Sequence, residues 1–360
     1  MAQLVAHLLC KQGVRGSSPL GSTSPAFHAR RVPALLVAAA LTAGCGADIP
    51  PPDAQPSPVH SPTTTAHPLF DAGLEPAEAA LAMVPGSATT LTVTDFDEVR
   101  KDLGVPDLTS EDPASDRFDF WERARAEAPL LVEGLLRADN SEFLLDHGFT
   151  QDDVDWEAHF TGPDGNGYIV AFRPDLDLGG VSRAVEAGTG PLDGARVIAQ
   201  DHLLVSGTAE DGVGVWAADP TWDGLVGEPA QATYLRRDCI PLNEALGPDA
   251  GAEEQQELVA RHPVSNLDDL PGFSVAFGDH NAVVRMARNR DDLFDRLDLG
   301  RDWPVAGFGS EFRSGVGDPG SGRIGYTVPR PPQAAALTLL EELPFAVCNE
   351  VSPIAEPTGL

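Results

Sequence analysis

The stretch WEAHFTGPDGNGYIVAF, residues 156–172, decides the fold class. Trp156, Ala158 and Phe160 alternate with polar residues, which is the pattern of a strand with one buried face. A glycine-rich segment follows, and after it a second apolar run extends from Tyr168 to Phe172. Two such runs joined by a short glycine-rich turn predict an antiparallel hairpin.

Helical and extended patterns alternate on both sides of this hairpin. Apolar residues spaced by three and four from Ser115 to Leu136 predict an amphipathic helix that bends near Pro129. Thr94 and Asp97 form a capping box that starts a helix after a strand near Thr89–Val93. Further short strands are expected within 195–207, 212–219 and 273–277, and helices within 177–188, 291–297 and 334–343. We therefore predict an α+β domain of antiparallel sheets backed by helices over residues 71–350.

A glycine pattern occurs twice in this domain. Residues 162–169 read G-x-x-G-x-G-x-I, and residues 317–324 repeat the pattern 155 positions later. The repetition predicts two related halves, residues 71–218 and 219–350. Chance is the alternative, because glycine-rich hairpin turns resemble one another.

Two motifs resemble known functional loops but lack required residues. Residues 164–169, DGNGYI, match part of an EF-hand calcium loop, yet Gly162 replaces the first ligand and Arg173 replaces the bidentate Glu. We expect a hairpin turn instead, with positive φ at residues 165–167. Residues 180–184, GVSRA, lack the last glycine of the G-x-S-x-G nucleophile elbow, so Ser182 is expected to be an ordinary helix residue.

One polar group on a strand needs a choice between two interpretations. Asp155, Glu157 and His159 alternate and therefore face one side together. We expect a solvated strand face, and the alternative is a metal or acid–base site. The sequence contains no C-x-x-C, P-loop or dinucleotide fingerprint. We predict no catalytic residue, no metal and no cofactor.

The first residues differ in composition from the rest of the chain. Residues 1–23 contain Lys11 and Arg15 but no acidic residue. Back-translation of residues 2–7, 9–11 and 16–19 gives codons like the D-arm, anticodon loop and T-arm of a tRNA gene. The segment therefore resembles spurious translation through such a gene, and we expect the true start codon to lie downstream.

A secretion signal follows this segment. Arg30 and Arg31 precede an apolar run from Val32 to Ala43, which is too short to span a bilayer comfortably. The run ends in small residues before Cys45, and this arrangement resembles the lipobox of bacterial lipoproteins of the actinobacterial type. Thr42 departs from the family pattern, which has an aliphatic residue at that position. The resemblance implies that residues 24–44 are a signal peptide and that Cys45 carries a lipid. The alternative is ordinary secretion with a free or paired Cys45.

Composition restricts the location and the partners of the chain. Seven prolines between Pro50 and Pro68 predict a disordered, semi-rigid tether over residues 45–70. The chain has a net charge of −31, or −35 without residues 1–44, which contain four basic and no acidic residues. Such a surface repels nucleic acid, so we expect no nucleic-acid partner. We expect anchoring at the outer face of the cytoplasmic membrane, with an envelope ligand or protein as partner.

Two cysteines, Cys239 and Cys348, lie within the folded part. In an exported protein they are expected to form a disulfide, worth about 4 kcal/mol by the chain-entropy relation; the alternative is two buried thiols. The bridge would connect the end of the chain, with its tail over residues 351–360, to the middle of the domain. The first functional hypothesis is a non-catalytic envelope lipoprotein that binds or scaffolds. The second is an envelope hydrolase whose site is assembled from dispersed residues.

Overall fold

The computed structural model describes residues 69–209, 214–304 and 307–354. Within these residues ten strands form one sheet, and every neighbouring pair is antiparallel. The strands are β1 (Thr90–Asp95), β2 (Val154–Gly162), β3 (Gly165–Phe172), β4 (Arg196–Ile198), β5 (Leu203–Ser206), β6 (Ala232–Arg237), β7 (Gly272–Gly278), β8 (Asn281–Arg285), β9 (Arg313–Asp318) and β10 (Arg323–Thr327). The predicted α+β class is confirmed.

Helices connect the strands and cover much of the sheet. They are α1 (Pro76–Leu81), α2 (Phe96–Asp102), α3 (Ala114–Glu127), α4 (Asn140–Glu142), α5 (Gly179–Ala187), α6 (Leu242–Ala245), α7 (Ala252–Arg261), α8 (Leu293–Arg301), α9 (Phe308–Glu311) and α10 (Pro331–Leu339). No helix among the described residues combines the length and the apolar character that crossing a membrane requires. Residues 1–23, the signal peptide expected over residues 24–44, and Cys45 lie outside the described residues.

The strand order is the same when read outward from the centre in either direction. The sheet runs β4-β5-β3-β2-β1-β6-β7-β8-β10-β9. The element order along the chain is also the same from β1 and from β6, if the short helices α4 and α9 are left aside. In both cases a strand is followed by two helices, two strands, one helix and two further strands. The proposed division after residue 218 falls between β5 and β6, and the order is consistent with two related halves, which stay a prediction.

The glycine pattern that suggested the repeat marks different places in the two halves. Its first copy joins β2 to β3, whereas its second copy joins β9 to β10. The hairpin that occupies the position of β2–β3 in the second half is β7–β8. A better correspondence follows the first strand of each half. Asp95 ends β1 and Asp238 follows β6. Nine residues after each comes a glycine with positive φ, Gly104 (78°) and Gly247 (76°).

The sheet has one face that helices cover along its whole width. Over β2, β3 and β5 this face packs against α2, α3 and α5, with Phe96, Trp121 and Val181 among the buried residues. Over β6, β7, β8 and β10 it packs against the helices from α6 onward, with Leu258 and Phe308 among them. Each half therefore has its own core beneath one continuous sheet.

Over the first half, the opposite face of the sheet is covered by one helix and by an irregular segment. There α1 and the segment with Trp216 and Trp222 pack on β1, β2, β3 and β5. Towards β10 and β9 this face is open, since Val316 is 71% exposed. A Cβ atom built on Gly325 would meet no atom within 4 Å. The open area lies at β10 and β9, the strands of the second half that are farthest from the centre of the sheet.

Several local predictions are wrong for identifiable reasons. The helix expected to continue through Pro129 ends at Glu127, because Ala128 adopts the extended conformation that a following proline favours. Phe118, expected on its buried face, is 64% exposed. Of the strand expected within 212–219, the described residues 214–219 contain an isolated bridge between Val215 and Pro85 and a 3₁₀ turn at Trp216–Ala218. The ring of Trp216 stacks on Trp222 at 4.0 Å, and this stacking sets the local path.

The N-terminus of α2 and the β2–β3 turn also differ from expectation. Asp95, rather than Thr94, caps α2 by accepting a hydrogen bond of 3.0 Å from the Glu98 amide. The Thr94 hydroxyl instead accepts from the amides of two residues that follow α3. Of residues 165–167, Gly165 has positive φ (129°) while the other two are extended strand residues. Thr150 caps the following 3₁₀ turn through a capping box, and the helix expected within 177–188 ends at Gly188.

A disulfide joins Cys239, just after β6, to Cys348. The two Cα atoms are 4.9 Å apart, and the bond closes a separation of 109 residues. Beside it, the Ile240 amide donates to the Ala346 carbonyl and the Cys348 amide donates to the Ile240 carbonyl, both at 2.9 Å. The C-terminal segment is thus paired with the middle of the chain. Phe70, assigned to the tether from sequence, packs against Trp156 with ring centroids 6.4 Å apart.

Candidate functional site

A cleft of about 360 Å³ lies between β9, α8 and α9 at one end of the sheet. We call it the β9 cleft and define it by the residues that line it: Leu297, Gly300, Arg301, Phe308, Gly309, Phe312, Arg313, Ser314, Gly315 and Tyr326. The volume is within the range of small-ligand sites. Its position at the edge of the sheet leaves one side open to an approaching molecule.

Glycines in β9 create the space beside α8. A Cβ atom on Gly315 would lie 2.6 Å from Leu297 Cδ2 and 2.8 Å from Tyr326 Cε1. One on Gly317 would lie 3.0 Å from Leu297 Cδ1. Side chains at these two positions would collide with Leu297 of α8. Glycine at both allows α8 to pack closely on the edge strand while the cleft stays open above it.

A bulge shapes the start of β9. Val316 pairs with Gly325 and Arg313 with Thr327, so β9 contains one more residue than β10 over this interval. Ser314 takes up the difference with φ of 53°, which is uncommon for a residue other than glycine. Bulges of this kind bend an edge strand and redirect its side chains. Here the bulge places Arg313 and Ser314 in the wall of the cleft.

Aromatic rings form the inner wall of the cleft. Phe308 and Phe312 are stacked with centroids 5.0 Å apart, and Phe312 meets Tyr326 edge to face at 5.5 Å. All three are buried. Burial also raises the pKa of the Tyr326 hydroxyl above its ordinary value, so the ring stays neutral. Rings packed in this way present a rigid apolar surface.

The charge of the β9 cleft is opposite to that of the chain. Arg301 and Arg313 line it, and no Asp or Glu is among the lining residues. Arg301 pairs with the exposed Asp298, whereas Arg313 Nε donates to the Ser310 carbonyl at 2.9 Å. Among the described residues no carboxylate lies within ion-pair distance of Arg313. The cleft therefore combines an apolar wall with an arginine that has no anionic partner there.

Two other large cavities differ from the β9 cleft because aspartates are among their lining residues, together with one arginine in each. One of about 320 Å³ is lined by Asp295 and Asp298, and one of about 450 Å³ by four aspartates between residues 107 and 119. His262 lies in the first and its Nε2 is 2.9 Å from Asp302 Oδ2. No Ser, Thr or Cys lines that cavity. None of these three described cavities joins a nucleophile, a histidine and a carboxylate.

The polar residues of β2 are not the solvated face expected from sequence. Glu157 is fully buried, and its carboxylate lies 2.6 Å from His159 Nε2. It also accepts hydrogen bonds from the Leu135 amide and from Gln151 Nε2, all at 3.0 Å. Asp155 instead lies 3.5 Å from Arg100, and burial raises the pKa of Asp155 to about 6. The Glu157 carboxylate is thus satisfied within the fold, whereas Asp155 has an ion pair with Arg100.

The remaining sequence candidates occupy structural positions. Ser182 lies in α5, where its amide donates to the Leu178 carbonyl. Cys239 and Cys348 form the disulfide and take no part in the cleft lining. No group of three or more His, Cys, Asp or Glu within the described ranges is arranged to hold a metal ion. Sequence reasoning missed the β9 cleft, because its lining residues come from four separate elements.

Comparison with protein-family models, with curated proteins and with solved structures found no match.

Proposed function

We propose that the chain is a non-catalytic binding module of the cell envelope, and that it binds an anionic ligand in the β9 cleft. The observation that carries the proposal is the reversal of charge. A chain with 55 acidic and 24 basic residues lines this cavity with two arginines and no carboxylate. Because arginine binds carboxylates and phosphates through charge-assisted hydrogen bonds, the cleft suits a ligand with an acidic group beside an apolar one.

The proposed location rests on separate features. The apolar run before Cys45 and the proline-rich segment after it favour a lipid-tethered protein outside the cytoplasmic membrane. The disulfide is consistent with an oxidising compartment. A hydrolase is the alternative, but no observation in the described residues favours it. The His262–Asp302 pair lacks a nucleophile in the cavity beside it.

Titration calorimetry of the purified full-length protein with N-acetyl-Glu-Val, a dipeptide with two carboxylates and one apolar side chain, tests the proposal. We expect the double variant R301Q/R313Q to bind at least about tenfold more weakly, since a hydrogen bond to a charged group contributes about 1.5–3 kcal/mol. The matched control is R196Q, which changes an exposed arginine in β4, the opposite edge strand. Affinity that is equal in all three proteins, or no binding by the unmodified protein, contradicts the proposal.

A further inference from the structure

We propose that the occupant of the β9 cleft is an extended acidic polypeptide segment, which adds to β9 as a further antiparallel strand. The inference rests on the proposed function and specifies its ligand. A small anion would need the arginines alone. A polypeptide would in addition use the main chain of β9 and the apolar surfaces on both of its sides.

The edge formed by β9 is open among the described residues. It is the last strand in the sheet and has β10 as its one neighbour. Its six residues are twice the length of β4, the three-residue strand at the other edge. An edge strand presents unpaired amide and carbonyl groups along its free side, and extended peptides bind such edges through main-chain hydrogen bonds. Every existing pairing in this sheet is antiparallel, so we infer the same orientation for the added strand.

Each side of an added strand would meet an apolar surface. On the helical side, Gly315 places no side chain between the new strand and the cleft, whose inner wall includes Phe308 and Phe312. On the opposite side lies the apolar side chain of Val316, which is 71% exposed. Successive residues of a strand point to opposite faces, so both sets of side chains have a surface to contact.

Charge decides which segment fits. Arg313 starts β9 and Arg301 lies across the cleft, whereas Asp318 ends the strand. Asp318 is already engaged, since it accepts from the Ser321 hydroxyl at 2.6 Å and from the Gly320 amide at 3.1 Å. In an antiparallel arrangement the C-terminal end of the added strand lies opposite Arg313. The segment should therefore be apolar along its length and acidic at its C-terminal end.

A second copy of the chain is the other candidate occupant. Two β9 strands paired about a two-fold axis would place Arg313 of each copy opposite Asp318 of the other, but would also bring together whole molecules that each carry a net charge of −31. The acidic peptide matches the cleft charge, whereas the second copy adds repulsion. Sedimentation of the full-length protein in detergent distinguishes them, because self-pairing through β9 would give a dimer that the peptide dissociates.

Fluorescence anisotropy with a labelled heptapeptide tests the inference. The probe has five alternating valine and threonine residues followed by two glutamates, and it is compared with forms N-methylated at the odd or at the even positions. Main-chain hydrogen bonds from one strand go alternately to its two sides. We expect one N-methylated form to bind at least about tenfold more weakly and the other to bind within about twofold. Replacing the glutamates by lysine should weaken binding at least about tenfold, and R196Q should bind like the unmodified protein.

The outcomes separate the two proposals. If both N-methylated forms bind as well as the parent peptide, or if N-acetyl-Glu-Val binds and the peptide does not, the strand-addition inference is wrong while the anion site stands. If neither probe binds, both proposals are wrong. A dimer that excludes the peptide identifies a second copy as the occupant and overturns the inference.

Discussion

Single residues in this protein show why sequence spacing predicts which side chains share a face but not what surrounds them. The alternation of Glu157 and His159 correctly places the two on one side of β2, where they contact each other, whereas the register of β2 against β3 shifts at Asp155. Spacing has no information on the segment after α3, which passes over that face and supplies the Leu135 amide. The group was therefore expected in solvent, although Glu157 is fully buried with four hydrogen-bond contacts from protein atoms.

Removing the Glu157 carboxylate should destabilise the fold. In E157A the Leu135 amide and Gln151 side chain lose their acceptor inside the protein, and each unsatisfied buried donor costs about 1–3 kcal/mol. We expect the free energy of unfolding in urea to fall by about 3 kcal/mol. The control is E186A at an exposed position of α5, expected within about 0.5 kcal/mol of the unmodified protein. Equal losses in both variants would show that the Glu157 contacts contribute nothing.

At the scale of the element, local patterns located most helices and strands but misplaced their ends. The expected and observed ends agree at Gly188 because glycine at the end of a helix is a strong local signal. They disagree after β1, where Thr94 and Asp95 are both acceptable caps by sequence. The choice depends on the segment after α3, whose amides bind Thr94. Tertiary contacts therefore decide between two locally equivalent starts of α2.

The cap of α2 should make stability depend on pH. Burial raises the pKa of the Asp95 carboxyl to about 7, and nearby Asp97 adds to the effect, although the hydrogen bond from Glu98 opposes it. The folded state then binds the Asp95 proton more tightly than the unfolded state, whose pKa is about 4. Stability is therefore favoured at low pH and falls as pH rises from about 4 to about 7.

The variant D95N tests this dependence, because asparagine caps helices well and does not titrate. Between pH 4 and pH 8, the unmodified protein should lose at least about 1 kcal/mol of unfolding free energy relative to D95N. The control D107N changes an exposed aspartate. Between pH 4 and pH 8, its unfolding free energy should change by the same amount as that of the unmodified protein. Parallel pH profiles for D95N and the unmodified protein would be evidence against a raised pKa at Asp95.

At the scale of the whole molecule, composition and the order of patterns predicted the α+β class, and two spaced cysteines predicted the disulfide that is present. The mirrored strand order about β1 and β6 is consistent with two halves, but the glycine motif used to find them joins non-equivalent strands. Short repeats are weak indicators where a turn geometry demands glycine anyway. The β9 cleft was beyond prediction, because it depends on how α8, α9 and β10 assemble around one edge strand.

The proposed tether also belongs to the whole molecule. Cys45 lies outside the described residues, so its lipid remains a proposal from sequence. In cells that express the full chain, a radiolabelled fatty acid should be incorporated into the protein and not into the C45A variant. The protein should fractionate with membranes. An unlabelled protein recovered from the cytosol would contradict the proposed anchoring.

Pairing of β9 with an extended acidic segment would protect the main-chain amides of this strand from exchange. Hydrogen–deuterium exchange of the full-length protein, with and without a saturating concentration of the acidic heptapeptide, measures that pairing directly. The account predicts slower exchange of main-chain amides in Arg313–Asp318 when the peptide is present, with no change in Arg196–Ile198. Unchanged exchange in Arg313–Asp318 while the peptide is bound would contradict it.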